Sequence, residues 1–144
     1  MLQHMENANN LARFLDSQRF QYEEALAEMR RGRKTGHWIW FIFPQMKGLG
    51  HSPMANYYGI SGLEEARAYL EDALLGARLR EVTAAVLSHP SADIAEVMGG
   101  GLDAMKFRSS MTLFDAASPD DIFAQVLDTF YGGQRDPMTL DLLK

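Results

Sequence analysis

Leu11, Phe14, Leu15, Tyr22, Ala25, Leu26 and Met29 recur at spacings of three, four and seven, with charged residues between them. A period near 3.6 gathers these side chains into one stripe of a helix, whereas a strand would scatter them over both faces. The same period returns further on. Leu75, Leu79, Val82 and Val86 lie on one face of a segment that ends before Pro90, and Ile122, Val126, Leu127 and Phe130 follow the helix-start residues Ser118-Pro119-Asp120-Asp121. Ser61 with Glu64 reads as a capping box ahead of Leu63, Ala66 and Leu70, and Ser91 as the cap of a short helix over residues 94–98. Leu102, Met105, Ser109, Thr112 and Leu113 suggest another helix after the Gly99-Gly100-Gly101 break, with Met98, Met105 and Met111 as core filling. Asn9 or Asn10 can cap the first helix, Gly32 and Gly132-Gly133 end two of them, and residues 139–143 make a last turn.

One segment departs from this pattern. His37-Trp-Ile-Trp-Phe-Ile-Phe43 is apolar on every side after its histidine, so periodicity cannot separate a buried strand from a buried helical turn. Its propensity favours a strand, but no partner strand is evident elsewhere, and a lone strand leaves its backbone unsatisfied. The reading is therefore an all-α, compact single-domain array of helices, with residues 37–43 ambiguous but preferred as a short buried helix. The domain is placed at residues 9–143, with residues 1–8 as a flexible lead-in and no role for His4. Residues 44–61, which hold Gly48, Gly50, Pro53 and Gly59, read as a long loop of the kind that often carries function.

Composition narrows the function classes. The hydrophobic share of 47% excludes a disordered chain, and the longest unbroken apolar run, from Trp38 to Phe43, falls far short of the ~20 residues of a membrane-spanning helix. Without cysteine there is no disulfide framework, thiol nucleophile or thiolate zinc site. The net charge of −5 argues against nucleic acid and anionic membranes as partners, although a local basic patch is compatible with it. The N-terminus lacks a basic-then-apolar signal pattern, so a cytoplasmic location is expected. His37, His51 and His89 match no known metal-ligand spacing, and no metal or cofactor is expected. P-loop, Rossmann, nucleophile-elbow and zinc-protease signatures are missing.

Asn10-Leu-Ala-Arg-Phe14, Arg31-Gly-Arg-Lys34, His37-Trp-Ile-Trp-Phe-Ile-Phe-Pro-Gln45, Gly48-Leu-Gly50 with Ser52-Pro-Met54, and Arg108-Ser-Ser-Met-Thr-Leu-Phe114 carry a resemblance. In this order the chain resembles, over about residues 9–143, the bacterial family known as domain of unknown function 1810, some members of which are labelled calpastatin. The resemblance implies a compact, mostly α-helical domain and no established activity.

Polar groups concentrate in three stretches: Arg33, Lys34 and His37; Gln45, His51, Ser52 and Tyr57; Lys106, Arg108, Ser109, Ser110 and Thr112. If they converge, they make a basic and aromatic pocket for a small anionic ligand, nucleotide-like or phosphorylated. Arg and Lys would hold its charge, and Trp38, Trp40 or Tyr57 would stack on its ring. Duller readings stand beside this one: a solvated helix end for Arg30 to Lys34, a structural cap for His37, core packing for Trp38 to Phe43, and hydroxyls bonded to helix carbonyls. His37, His51, Lys106 and Ser110 are the candidate catalytic groups, since Lys106 and Ser110 lie four apart on one helix face and could form a serine–lysine pair. No motif specifies a reaction. The alternative function is a protein–protein interaction module without catalytic activity, docking an acidic partner on exposed aromatic and basic residues.

Overall fold

The computed structural model describes the backbone of residues 2–144 and the side chains of residues 11–144; the lead-in expected over residues 1–8 lies outside the described side chains. Nine helices run in the order α1 (Leu2–Arg31), α2 (Ile39–Ile42), α3 (Pro53–Tyr58), α4 (Leu63–Glu71), α5 (Ala73–Leu87), α6 (Ile94–Val97), α7 (Gly101–Ala117), α8 (Ile122–Tyr131) and α9 (Pro137–Leu142) among the described residues. Extended pairing there is limited to one isolated parallel bridge, Met46 with Ile60. The all-α reading therefore holds, and the ambiguous apolar segment is a buried helical turn in which Ile39, Phe41 and Ile42 are covered. No described helix is long and apolar enough to cross a membrane.

The organising element is α7. From Ser109 to Phe114 every side chain is buried, as expected of a helix surrounded by others, and α2, α4, α6, α8 and α9 all pack on it. A second layer is formed by α1 against α5, with α2 tucked under α1. Between the layers the core is aromatic: Phe43 meets Phe107 edge-on at 4.6 Å, and Phe14, Tyr69, Phe114 and Phe123 form a chain of ring contacts. Edge-to-face pairs of this kind add to their area burial because the positive ring edge meets a negative face.

Several helix ends differ from the sequence expectation, and at α6 and α8 the reason is an aspartate that takes the cap. Ser61 donates its backbone N–H to Glu65 at 2.9 Å, so the reaching acid is Glu65 rather than Glu64, and the N-cap of α4 is Gly62. Asp93 rather than Ser91 caps α6. Asp121, held by Arg80 and Ser118, caps α8, which leaves Pro119 outside the helix. The first helix is already helical before Asn9 and Asn10. Met105 is a larger correction: it is 68% exposed, as is Leu102, because the inward side of the first turns of α7 is Ala104 and Phe107.

The C-terminus of α1 is closed from a distance. His89 Nε2 lies 3.0 Å from the carbonyl oxygens of both Met29 and Arg30, and since carbonyls only accept, this nitrogen carries the hydrogen and donates. It supplies a donor to two carbonyls at the end of the helix, of which Met29 also accepts from the Gly32 N–H at 3.0 Å. His89→Ala is expected to lower stability by ~1–2 kcal/mol, read as a lower urea midpoint with an unchanged slope.

Candidate functional site

Four segments enclose a cleft of about 300 Å³: the end of α2 with the loop at 45–50, α3, the first half of α7, and the start of α9. Helix α7 presents Leu102, Met105, Lys106 and Ser109 to it, the i, i+3, i+4, i+7 set that forms one helical stripe. Opposite stand Trp40, Met46 and Leu49, while Met138 and Asp136 close the end near α9.

The loop wall is fixed by close backbone approach. Ile60 donates to the Gln45 carbonyl and Lys47 to the Ile60 carbonyl, both at 2.8 Å. A Cβ on Gly59 would meet Lys47 Cα at 2.7 Å and the Ala55 carbonyl at 2.8 Å, so only glycine lets these strips lie together. From α1, Arg13 donates to the carbonyls of Tyr57 (2.8 Å) and Gly59 (3.0 Å) while pairing with Glu65, which ties the wall to the body of the domain.

The electrostatics of the cleft are set by two cations. Lys106 Nζ lies 4.0 Å from the centre of the Trp40 ring and 3.5 Å from Asp103 Oδ1. The other oxygen of Asp103 is taken by Lys34 Nζ at 2.7 Å, so one carboxylate serves two ammonium groups. Arg108 has no carboxylate partner among the described residues. Its guanidinium donates to two backbone carbonyls, Nε to Gln134 and Nη2 to Arg135, both at 2.8 Å. The acid that closes the cleft, Asp136, is engaged on its own side, accepting from Ser109 Oγ (2.8 Å) and Thr139 Oγ1 (2.6 Å) and capping α9. Burial alone would raise its pKa, but these hydrogen bonds outweigh burial and hold it below the usual carboxylate value, so it stays anionic. Positive charge therefore remains in excess where apolar surface faces solvent.

The structure brings together part of the expected set. Gln45, Lys106, Arg108 and Ser109 line the cleft, and Trp40 flanks it. Arg33 and His37 are exposed on the loop after α1, and none of the Arg33, Lys34, His37, Trp38 group lines the cleft. Lys34 is buried in its pair with Asp103, and Trp38 is fully buried, donating Nε1 to Glu28 at 3.0 Å. Ser52 is the N-cap of α3, His51 is exposed beside it, and Tyr57 is exposed with its ring edge-on to Tyr58. Thr112 is wholly buried between the Arg108 carbonyl and the Asp136 N–H. Ser110 is fully buried and its hydroxyl has no hydrogen-bond partner among the described residues, so the serine–lysine pair is not formed. Sequence reasoning missed Asp136, Met46, Leu49 and Met138. Their signal was weak, because an Asp-Pro pair reads as an ordinary helix start and a Met in a loop marks nothing.

A fold and site of this kind define a small helical domain with a cleft that is apolar and locally cationic. The family match gives it a place: residues 8–143 match the family "Protein of unknown function (DUF1810)", and the chain belongs to it. Among solved structures it is similar to the conserved hypothetical protein Rv1873 from Mycobacterium tuberculosis, at 47% identity and a TM-score of 0.89. That likeness covers 93% of this chain and 96% of the other. No curated protein matches.

Proposed function

We propose that the cleft binds a small organic anion, with Arg108 and Lys106 holding its charged group and the apolar lining its body. The observation that carries this reading is charge bookkeeping inside an apolar site: Arg108 has only carbonyl partners among the described residues, and Lys106 shares its carboxylate with Lys34. Cations held in place beside apolar surface bind anions more strongly than solvated ones, because less water must be displaced and less side-chain freedom is lost. The cleft lies at the lower end of the ~300–1,000 Å³ range of ligand sites, which suits a small molecule. A second reading, a protein-interaction module, draws on Leu102, Met105 and Met138, each more than 60% exposed at the mouth.

A thermal-shift panel of phosphorylated and carboxylated small molecules tests the first reading. A ligand at 100 times its Kd is expected to add ~2.7 kcal/mol, a rise of several degrees. Lys106→Met is expected to weaken that ligand roughly tenfold, ~1.4 kcal/mol, without loss of fold. A flat response across the panel overturns the pocket and leaves the interaction module.

A further inference from the structure

We infer that the anion bound in this cleft is a free aliphatic carboxylate, a head group on Arg108 carrying an unbranched apolar chain, rather than a nucleotide; the inference rests on the ligand-binding reading above. A nucleobase needs an aromatic plane to stack on, and the cleft contains two aromatic residues, Trp40 and Tyr58. One face of Trp40 already has the Lys106 ammonium over it. Tyr58 packs against Phe14, Phe41 and Tyr57 and ties its hydroxyl to Ser17. Base edges also need fixed donors and acceptors, and Gln45 is the one amide side chain on the wall. Ser109 spends its hydroxyl on Asp136.

What the cleft does offer is thioether and aliphatic surface. Met46, Leu49, Leu102, Met105 and Met138 surround the space, and three of them continue outward as exposed apolar surface. Methionine adapts to a flexible chain because it is unbranched and polarizable. The head group follows from the hydrogen bonds Arg108 has already made. Two of its five N–H groups are committed, at Nε and Nη2, which leaves the Nη1/Nη2 end of the fork for a two-oxygen acceptor. A carboxylate matches that end. The ligand is a free one and not part of a bilayer, since a chain of net charge −5 is repelled by anionic membrane surfaces.

The test is a homologous series of straight-chain carboxylates of four, six, eight and ten carbons. Each would be titrated below its micellar concentration into the protein labelled at methionine methyls, beside adenosine mono- and diphosphate. Affinity is expected to rise about fourfold per methylene until the cleft is full, the equivalent of ~0.8 kcal/mol per buried CH₂. Shifts should be concentrated at Met46, Met105 and Met138, and the matching primary alcohols should bind at least tenfold more weakly. Met105→Glu changes an exposed side chain, so the fold should survive while carboxylate binding is lost. Affinity independent of chain length, or a nucleotide binding more tightly than the ten-carbon acid, overturns the inference and leaves the anion pocket standing. No binding in either series overturns both. Binding of the series that persists in Met105→Glu places the ligand elsewhere and overturns the inference.

Discussion

Gly76→Ala is expected to destabilise the domain by ~4 kcal/mol or more, beyond the ~1–3 kcal/mol of ordinary overpacking. Gly76 is buried in α5, where a Cβ would stand 2.1 Å from the carbonyl oxygen of Leu70 and 2.9 Å from its carbonyl carbon. Those atoms are backbone near the end of α4, so no side-chain rotation can relieve the clash. The two helices would have to separate, and with them Ala66 and Tyr69 of α4 and Leu75 and Leu79 of α5 would lose their packing. Gly62→Ala is the matched control. It is the N-cap of α4, its backbone is extended, and nothing lies within 4 Å of the added carbon, so the expected change is within ~0.5 kcal/mol. Urea denaturation followed by circular dichroism separates the outcomes. Equal midpoints for the two variants would show that the α4–α5 junction yields easily.

Glu28→Ala is expected to cost ~4 kcal/mol, a large part of the ~5–15 kcal/mol that holds a domain folded. One carboxylate oxygen of Glu28, a residue 1% exposed, accepts from the Thr35 and Gly36 backbone N–H groups at 2.7 and 2.9 Å and from Trp38 Nε1 at 3.0 Å. Removing it strands the buried Trp38 Nε1 and the partly buried Thr35 and Gly36 N–H groups, and a donor costs ~1–3 kcal/mol when buried and unpaired. Burial raises the Glu28 pKa, but the hydrogen bonds from Gly36, Thr35 and Trp38 together outweigh it, and the net shift is downward. A carboxylate with a depressed folded-state pKa stabilises fully above its unfolded value and loses that contribution as pH falls through the folded one. Asp121 acts in the same direction: its hydrogen bond from Arg80 is the largest cause of a pKa near 2. Stability should therefore decline as pH drops below about 4.5 toward 2. In Glu28→Gln the decline should be shallower, with a lower plateau at neutral pH. An unchanged acid slope in Glu28→Gln would mean that Glu28 does not carry the linkage.

The helices were legible where burial follows one period. Leu75, Leu79, Val82 and Val86 share a face in sequence and are all buried, because a helix packed on one side needs only one stripe. The first turns of α7 misled for the opposite reason. Leu102 and Met105 look like core residues by spacing, yet their stripe is left facing the cleft. Of the expected site, the Lys106–Ser109 stretch was readable because its polar residues interrupt an apolar helix. Asp136 and Met138 were not, since they reach the site only through the α7–α9 contact. Lys34 was read as a ligand group and serves instead as a buried counter-charge, a difference set by the position of Asp103, 69 residues further along the chain.

What the sequence determined by itself is most of the elements: the longer helices from the 3.6 period, several of their ends from glycine, and the absence of thiol chemistry from the lack of cysteine; α3 (Pro53–Tyr58), which falls in the stretch read as a loop, and the capping residues of α4, α6 and α8 were not among them. The features it did determine are local properties, settled within a few residues of backbone sterics and hydrogen bonding. The tertiary structure decided which face of α7 stays open, that Asp103 neutralises two lysines, and that Arg108 is held by carbonyls and not by an acid. Each depends on residues distant in the chain meeting across packed helices, and Coulomb and hydrogen-bond energies depend on distance in space, to which sequence spacing is blind.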